Sequence, residues 1–218
     1  MGSTEKTAVV LGATGLVGSS LLQLLLADDR YSKILVFHRR STGVTHPKLE
    51  EHVVKFDEMV IWKHLIKGDH LYSALGTTLK TAGNKQAQYR VDYDYQYEVA
   101  LAAVKNQVHS YCLVSSTGAS ARSKNFYTNM KGKLDRAVQK LNFQKVVILR
   151  PSFLKGTRRE NRIGEKIGIP AFEALSFLPQ LKKYRPIPAH TVAKAMIVAL
   201  NSDSSKVIYE AEEIFGLV

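Results

Sequence analysis

Cysteine is almost missing. Cys112 is the single one in 218 residues, so no internal disulfide can form and a reducing compartment fits. It sits in an apolar stretch and reads as a small buried hydrophobe. No apolar run approaches membrane-spanning length, and Met1 to Lys6 is polar rather than signal-like, which makes a cytoplasmic address the default expectation. The seven histidines are scattered without paired metal spacing or an HExxH run, so no metal centre is expected. Internal repeats, low-complexity tracts and Pro/Gly/Ser linkers are lacking too, which leaves residues 1–218 as one expected domain. Acidic residues are scarce: 19 Asp and Glu stand against 31 Lys and Arg, for a net charge of +12. That excess could attract a polyanion, but no run of five basic residues, zinc spacing, helix-turn-helix or RNP pattern accompanies it, so nucleic acid is not expected as a partner.

What is present is an ordinary globular balance, 45% hydrophobic and 23% charged, in a chain long enough to bury a full core. Thr7 to Leu11 is a short, β-rich apolar run, which predicts a buried parallel strand. It feeds Gly12-Ala13-Thr14-Gly15-Leu16-Val17-Gly18, and leucines at helical spacing follow from Leu16 to Leu26. Strand, GxxGxxG and helix in that order favour dinucleotide binding over a purely structural turn. The glycines let backbone turn tightly and approach a pyrophosphate, and the helix presents free N–H groups and its positive dipole end. The expected fold is therefore α/β, a Rossmann-type doubly wound parallel sheet.

Lys33 to Phe37 is the second expected strand, ending at His38-Arg39-Arg40. At this strand end a carboxylate would accept from the 2′-hydroxyl of NAD. Here two adjacent arginines stand instead, suited to a 2′-phosphate, so NADP(H) is expected in preference to NAD(H). A surface basic pair is the alternative. Further strands are expected at His52 to Phe56, at Asp69 to Leu75 (running into Gly76, Thr77 and Thr78), at Ser110 to Val114, at Lys145 to Leu149 and at Val207 to Glu210. Helices are expected at Glu58 to Lys67, Gln88 to Val104, Tyr127 to Leu141 and Thr191 to Leu200. The tyrosines Tyr89, Tyr93, Tyr95 and Tyr97 read as packing surface. Residues 155–185 are basic and broken by glycine and proline, the expected place for a small C-terminal substrate or lid region. Their lysines and arginines form either a solvated face or an attractant for an anionic substrate.

The strand ending at Val114 is followed by Ser115 and Ser116, and about ten residues later by Tyr127-Thr128-Asn129-Met130-Lys131. Tyr127 and Lys131 at i and i+4 share one helical face. A phenol of ordinary pKa about 10 is a poor acid or base near neutrality, and an adjacent ammonium favours its phenolate. A serine hydroxyl at the strand end can hold a substrate oxygen. Of ten tyrosines, Tyr127 alone has lysine four positions on, which weighs against a chance pair on an exposed helix.

Together LGATGLVG (11–18), RR (39–40), LGTT (75–78), RVDYDY (90–95), SSTGA (115–119), YTNMK (127–131) and LRPS (149–152) resemble the short-chain dehydrogenase/reductase superfamily in its atypical branch. More narrowly, the chain resembles the Tat-interacting-protein oxidoreductases, small NADPH-binding proteins. The resemblance implies that Gly12, Thr14, Gly15, Leu16, Val17 and Gly18 hold the pyrophosphate, and that Arg39 and Arg40 take the 2′-phosphate. It further implies that Leu75, Gly76 and Thr77 line the adenosine side, that Lys131 bonds the nicotinamide ribose and that Arg150 stands near the nicotinamide end. Tyr127 would be the general acid/base and Ser116 the catalytic serine, with Ser115 as the alternative. One departure is Lys55, where the family carries an acid before the aromatic. The resemblance also implies dimerisation through the helices at 88–104 and 127–141, although relatives of this kind can be monomers.

The expectation is thus an NADP-dependent oxidoreductase acting on a small carbonyl or alcohol. A cofactor-sensing binding protein with a protein partner is the alternative, consistent with the short basic region at 155–185.

Overall fold

The computed structural model describes residues 5–155 and 185–218. Up to residue 150 the elements in chain order are β1 (Lys6–Leu11), α1 (Leu16–Leu26), β2 (Tyr31–His38), β3 (Leu49–Val53), α2 (Met59–Trp62), β4 (His70–Ser73), α3 (Leu79–Ala82), α4 (Lys85–Tyr89), α5 (Tyr95–Lys105), β5 (Ser110–Val114), α6 (Phe126–Val138) and β6 (Lys145–Arg150). Beyond these lie β7 (Leu154–Lys155), β8 (Ile187–Pro188), α7 (Ala189–Asn201), β9 (Ile208–Glu210) and α8 (Ala211–Gly216). Seven strands form one sheet in the order β3-β2-β1-β4-β5-β6-β9, and its pairings are parallel. This is the Rossmann-type fold that the opening strand, turn and helix predict.

Both faces of the sheet are covered, which is why its central strands are continuous apolar runs rather than alternating ones. Ala8, Val10, Ile34, Val36 and Cys112 face α1 and α7, where Leu21, Leu25, Val192 and Met196 meet them. Val9, Leu11, Leu35, Leu71 and Leu113 face Trp62, Val99 of α5 and Leu134 of α6 on the other side. Cys112 is fully buried, and burial pushes its thiol well up, as a small hydrophobe's setting would. Strand order reverses between β1 and β4, so a crevice opens at the carboxyl ends of these strands, where sheets of this kind take ligands. Gly12, Arg39, Leu75, Ser115 and Arg150 all lie at strand ends on that edge.

Several element bounds differ from the sequence expectation. The third strand is Leu49–Val53, not 52–56, because pairing sets it: Leu49 lies opposite Ile34 and His52 opposite Phe37. The chain then turns so that Phe56 enters the core edge-on to Trp62, whose indole N–H donates to Lys55 O at 2.9 Å. The fourth strand stops at Ser73, two residues early. The helix expected at 58–67 is α2 flanked by two short 3₁₀ turns. The helix expected at 88–104 begins earlier, at Lys85, and is interrupted by a π-helical stretch, Arg90–Asp94. Short helices α3 and α8 were not expected. The expected lid lies outside the described residues except at its ends, Lys155 and Arg185.

Candidate active site

The glycine turn is built as its sequence requires. Gly12 has φ +79, and a Cβ there would come within 2.6 Å of Ala74 C and Leu75 N, so the β1 and β4 loops touch at this residue. A Cβ on Gly18 would fall 2.0 Å from Gly12 O, which makes Gly18 the point where helix meets turn. Gly15 N–H donates to Gly12 O at 2.9 Å, and Gly15 then starts α1 with no side-chain cap and no acidic residue in the first turn. Such a helix start leaves N–H groups and a positive dipole end for an anion. The residues present therefore fit a dinucleotide pyrophosphate.

Arg39 and Arg40 follow β2, both exposed, and neither forms an ion pair among the described residues. After β4, Thr77 N–H donates to Asp92 Oδ2 at 2.8 Å, and Gly76 lies close enough to Asp92 that a Cβ would meet its Oδ1 at 3.2 Å.

The π-helical stretch explains how Asp92 gets there. Widening the helix by one residue re-aims a side chain without ending the helix. Gln96 fixes the result, donating to Asp92 O at 2.8 Å and accepting from Ser73 Oγ at 2.7 Å. Asp92, 1% exposed, then meets Lys131 Nζ at 3.3 Å. Burial alone would lower the Lys131 pKa, but Asp92, Tyr127 and Asp135 hold it above the ordinary lysine value. Lys131 is therefore a fixed buried cation one turn from Tyr127.

Helix α6 is placed by the loop before it. Asn125 caps it, its Oδ1 accepting from Tyr127 N at 2.9 Å and Thr128 N at 3.2 Å. Asn129 Nδ2 donates to Ala121 O and Ser123 O, and Ser123 and Thr128 share a 2.6 Å hydroxyl contact. A Cβ on Gly132 would fall 2.2 Å from Ser120 C, so this glycine admits the loop from Ser115 directly onto the helix that carries Tyr127 and Lys131. Tyr127 is 37% exposed in the first turn. Ser116 is half-buried, its Oγ donating to Thr117 O at 3.3 Å, whereas Ser115 is buried with its hydroxyl turned to the Asp135 carboxyl. Of the two serines, Ser116 is the accessible one.

Arg150 is otherwise engaged. Its guanidinium binds Asp135 Oδ2 at 2.9 Å and Glu210 Oε1 at 2.9 Å, tying β6 to α6 and β9. Burial pushes the Asp135 carboxyl up against the pull of Ser115 and Arg150. Asp92, Asp135 and Gly132 are the site residues that sequence reasoning missed. Asp92 lies within the RVDYDY stretch, and Gly132 and Asp135 follow Lys131 on α6, where no local pattern sets them apart.

A family model described as NAD dependent epimerase/dehydratase family matches residues 8–171. The chain belongs to the NAD-dependent epimerase/dehydratase family. Among curated proteins it is 36% identical to "Protein FMP52, mitochondrial" of Coccidioides immitis (strain RS), covering 88% of this chain and 85% of that protein. It is 31% identical to "Protein FMP52-1, mitochondrial" of Scheffersomyces stipitis, covering 97% and 98%. These mitochondrial names overturn the cytoplasmic address expected from the polar first residues. Among solved structures, a UDP-N-acetylglucosamine 4-epimerase from Methanobrevibacter ruminantium M1 superposes with a TM-score of 0.71 at 17% identity, over 94% of this chain and 76% of that one. A short-chain dehydrogenase/reductase superfamily protein from Agrobacterium tumefaciens with bound NAD gives 0.72 at 13% identity, over 93% and 76%. Both likenesses concern the fold.

Proposed function

We propose that this family member is an NADPH-preferring oxidoreductase that reduces a small carbonyl compound or oxidises the matching alcohol. The observation that carries the reading is Tyr127 one helical turn from a buried Lys131 paired with Asp92, at the sheet edge that also bears the uncapped glycine turn. The Tat-interacting-protein resemblance supports the NADPH preference and the roles of Tyr127 and Ser116. The pyrophosphate would rest on residues 12–18, the 2′-phosphate on Arg39 and Arg40, and the nicotinamide ribose by Lys131. When bound, the nicotinamide supplies or accepts the hydride. The protein's part is to manage the oxygen. Ser116 donates a hydrogen bond to the carbonyl oxygen and orients it. Tyr127 then gives that oxygen its proton as negative charge develops, and the Lys131 charge stabilises the phenolate left behind.

Titration with NADPH and with NADH, read by nicotinamide fluorescence, tests the binding half, with tighter NADPH binding expected. A carbonyl screen with Tyr127→Phe tests the chemistry. Loss of the proton donor lowers kcat by about 10² to 10⁴-fold, while NADPH affinity stays close to wild type. Unchanged turnover in Tyr127→Phe removes Tyr127 from the reaction. Binding without turnover on any carbonyl leaves a cofactor-sensing protein as the better description.

A further inference from the structure

The chain between β2 and β3, residues 39–48, has no helix or strand of its own, although it must return along the sheet to start a parallel neighbour. Something other than backbone ladder bonds has to hold it. Glu51, on the edge strand β3, accepts from Ser41 Oγ at 2.7 Å, from Thr42 N at 2.9 Å and from Thr42 Oγ1. Each hydroxyl also accepts from the backbone two residues on: Gly43 N–H donates to Ser41 Oγ at 3.1 Å and Val44 N–H to Thr42 Oγ1 at 3.2 Å. Gly43 takes φ +73 to make the bend, and Val44 packs against the core beneath. One carboxylate thus fixes the turn immediately after Arg39 and Arg40.

We propose that Glu51 is a positioning residue that makes the protein select a dinucleotide carrying a phosphate on its adenosine ribose, by holding the Arg39–Arg40 turn in a phosphate-ready arrangement. The inference rests on the dinucleotide reading above. Two arginines beside a glutamate would ordinarily pair with it and so lose their use for an anion. Here the carboxylate is committed to hydroxyl and N–H donors, and both guanidinium groups are left exposed without an ion pair among the described residues. Burial would raise the Glu51 pKa, but the Thr42 and Ser41 hydrogen bonds hold it below the ordinary glutamate value, so it is ionised at neutral pH. His38, 3.6 Å from Glu51 Oε1, is kept neutral by its own burial and does not replace those donors.

Removing the brace leaves the arginines on a loose segment that the phosphate must order when it binds, which costs about tenfold in affinity. NADH, with no 2′-phosphate, has no need of the turn. The test measures dissociation constants for NADPH and NADH with wild type, Glu51→Ala, Glu51→Gln and Thr42→Val, with thermal unfolding alongside. The expected result is an NADPH-to-NADH preference lowered about tenfold in Glu51→Ala, with a smaller drop in Thr42→Val, which keeps the charge, and NADH affinity within about twofold of wild type throughout. If Glu51 acted only as a nearby negative charge, Glu51→Ala would bind NADPH more tightly and Thr42→Val would not differ from wild type; either result overturns the proposal. An unchanged preference in both also overturns it. Should Glu51→Ala unfold, Glu51→Gln and Thr42→Val carry the same comparison. Wild-type protein that binds neither nucleotide overturns the dinucleotide reading itself, a failure the first titration separates from a failure of the brace.

Discussion

The Lys131 ammonium, 3% exposed, stays charged because the Asp92 carboxylate lies 3.3 Å away. Two buried charges repay their desolvation only as a pair, and stranding one of them is expensive. Asp92→Asn keeps the volume and can still accept from Thr77 N–H, yet it strands the lysine, so a loss of about 3 to 5 kcal/mol is expected. Lys131→Gln alone strands the acid with a similar loss, whereas the double variant should recover much of it. Denaturant unfolding of the four proteins as a double-mutant cycle checks this, and strict additivity would mean that the two groups do not pair. The sequence made Tyr127 and Lys131 legible because their relation is written into helical spacing. Asp92 was not legible, because its partner stands far along the chain and meets it only through a π-helical stretch that no local pattern announces. Arg150 shows the reverse: it stands at the strand end where an arginine was expected, but its partners Asp135 and Glu210 come from distant elements and could not be read from its neighbours.

Among the elements, the glycine turn was the most legible, since strand, glycines and helix are contiguous and each glycine answers a local steric demand. The three glycines are not equivalent. A methyl group at Gly18 collides with Gly12 O at 2.0 Å, a backbone atom that cannot step aside cheaply, so Gly18→Ala should cost about 3 kcal/mol. At Gly15 φ is −81 and the nearest atom to an added Cβ is Gly12 O at 3.2 Å. Gly15→Ala should then fold within about 1 kcal/mol of wild type while losing about tenfold or more in NADPH affinity, because its methyl stands before the helix N–H groups. Thermal unfolding paired with NADPH titration separates the two effects. Wild-type affinity in Gly15→Ala would mean that no phosphate sits there. Where element bounds depended on distant pairing they were misread: β3 is set by its register against β2, and the helix expected at 58–67 gives way because Phe56 and Trp62 are drawn into the core.

For the molecule as a whole, the address was misread from its first residues, and a network at the amino-terminal end of the sheet was not foreseen at all. Tyr31 Oη lies 2.8 Å from His70 Nδ1 and 2.7 Å from Tyr72 Oη, and it accepts from Asn201 Nδ2 at 2.8 Å. Lys6 Nζ donates to Asn201 Oδ1 at 2.7 Å, so the starts of β1, β2 and β4 and the end of α7 are joined in one polar cluster. Burial first, and then the charges of Lys6, Lys145 and Arg30 against Asp69, lower the His70 pKa to about 4. In the unfolded chain the imidazole titrates near its ordinary value of about 6.5. Between those two values the unfolded state binds a proton that the folded state refuses, so stability is complete above pH 6.5 and falls as pH drops toward 4, by about 3 kcal/mol in all. That is a large part of the about 5 to 15 kcal/mol a folded domain commonly holds. His70→Asn removes the titration. Its stability deficit against wild type should therefore shrink between pH 7 and pH 4.5 as the wild type pays its proton penalty and the variant does not. Denaturant unfolding at the two pH values decides the matter: parallel losses in both proteins would place the acid sensitivity elsewhere, on the paired carboxylates, and leave His70 as packing.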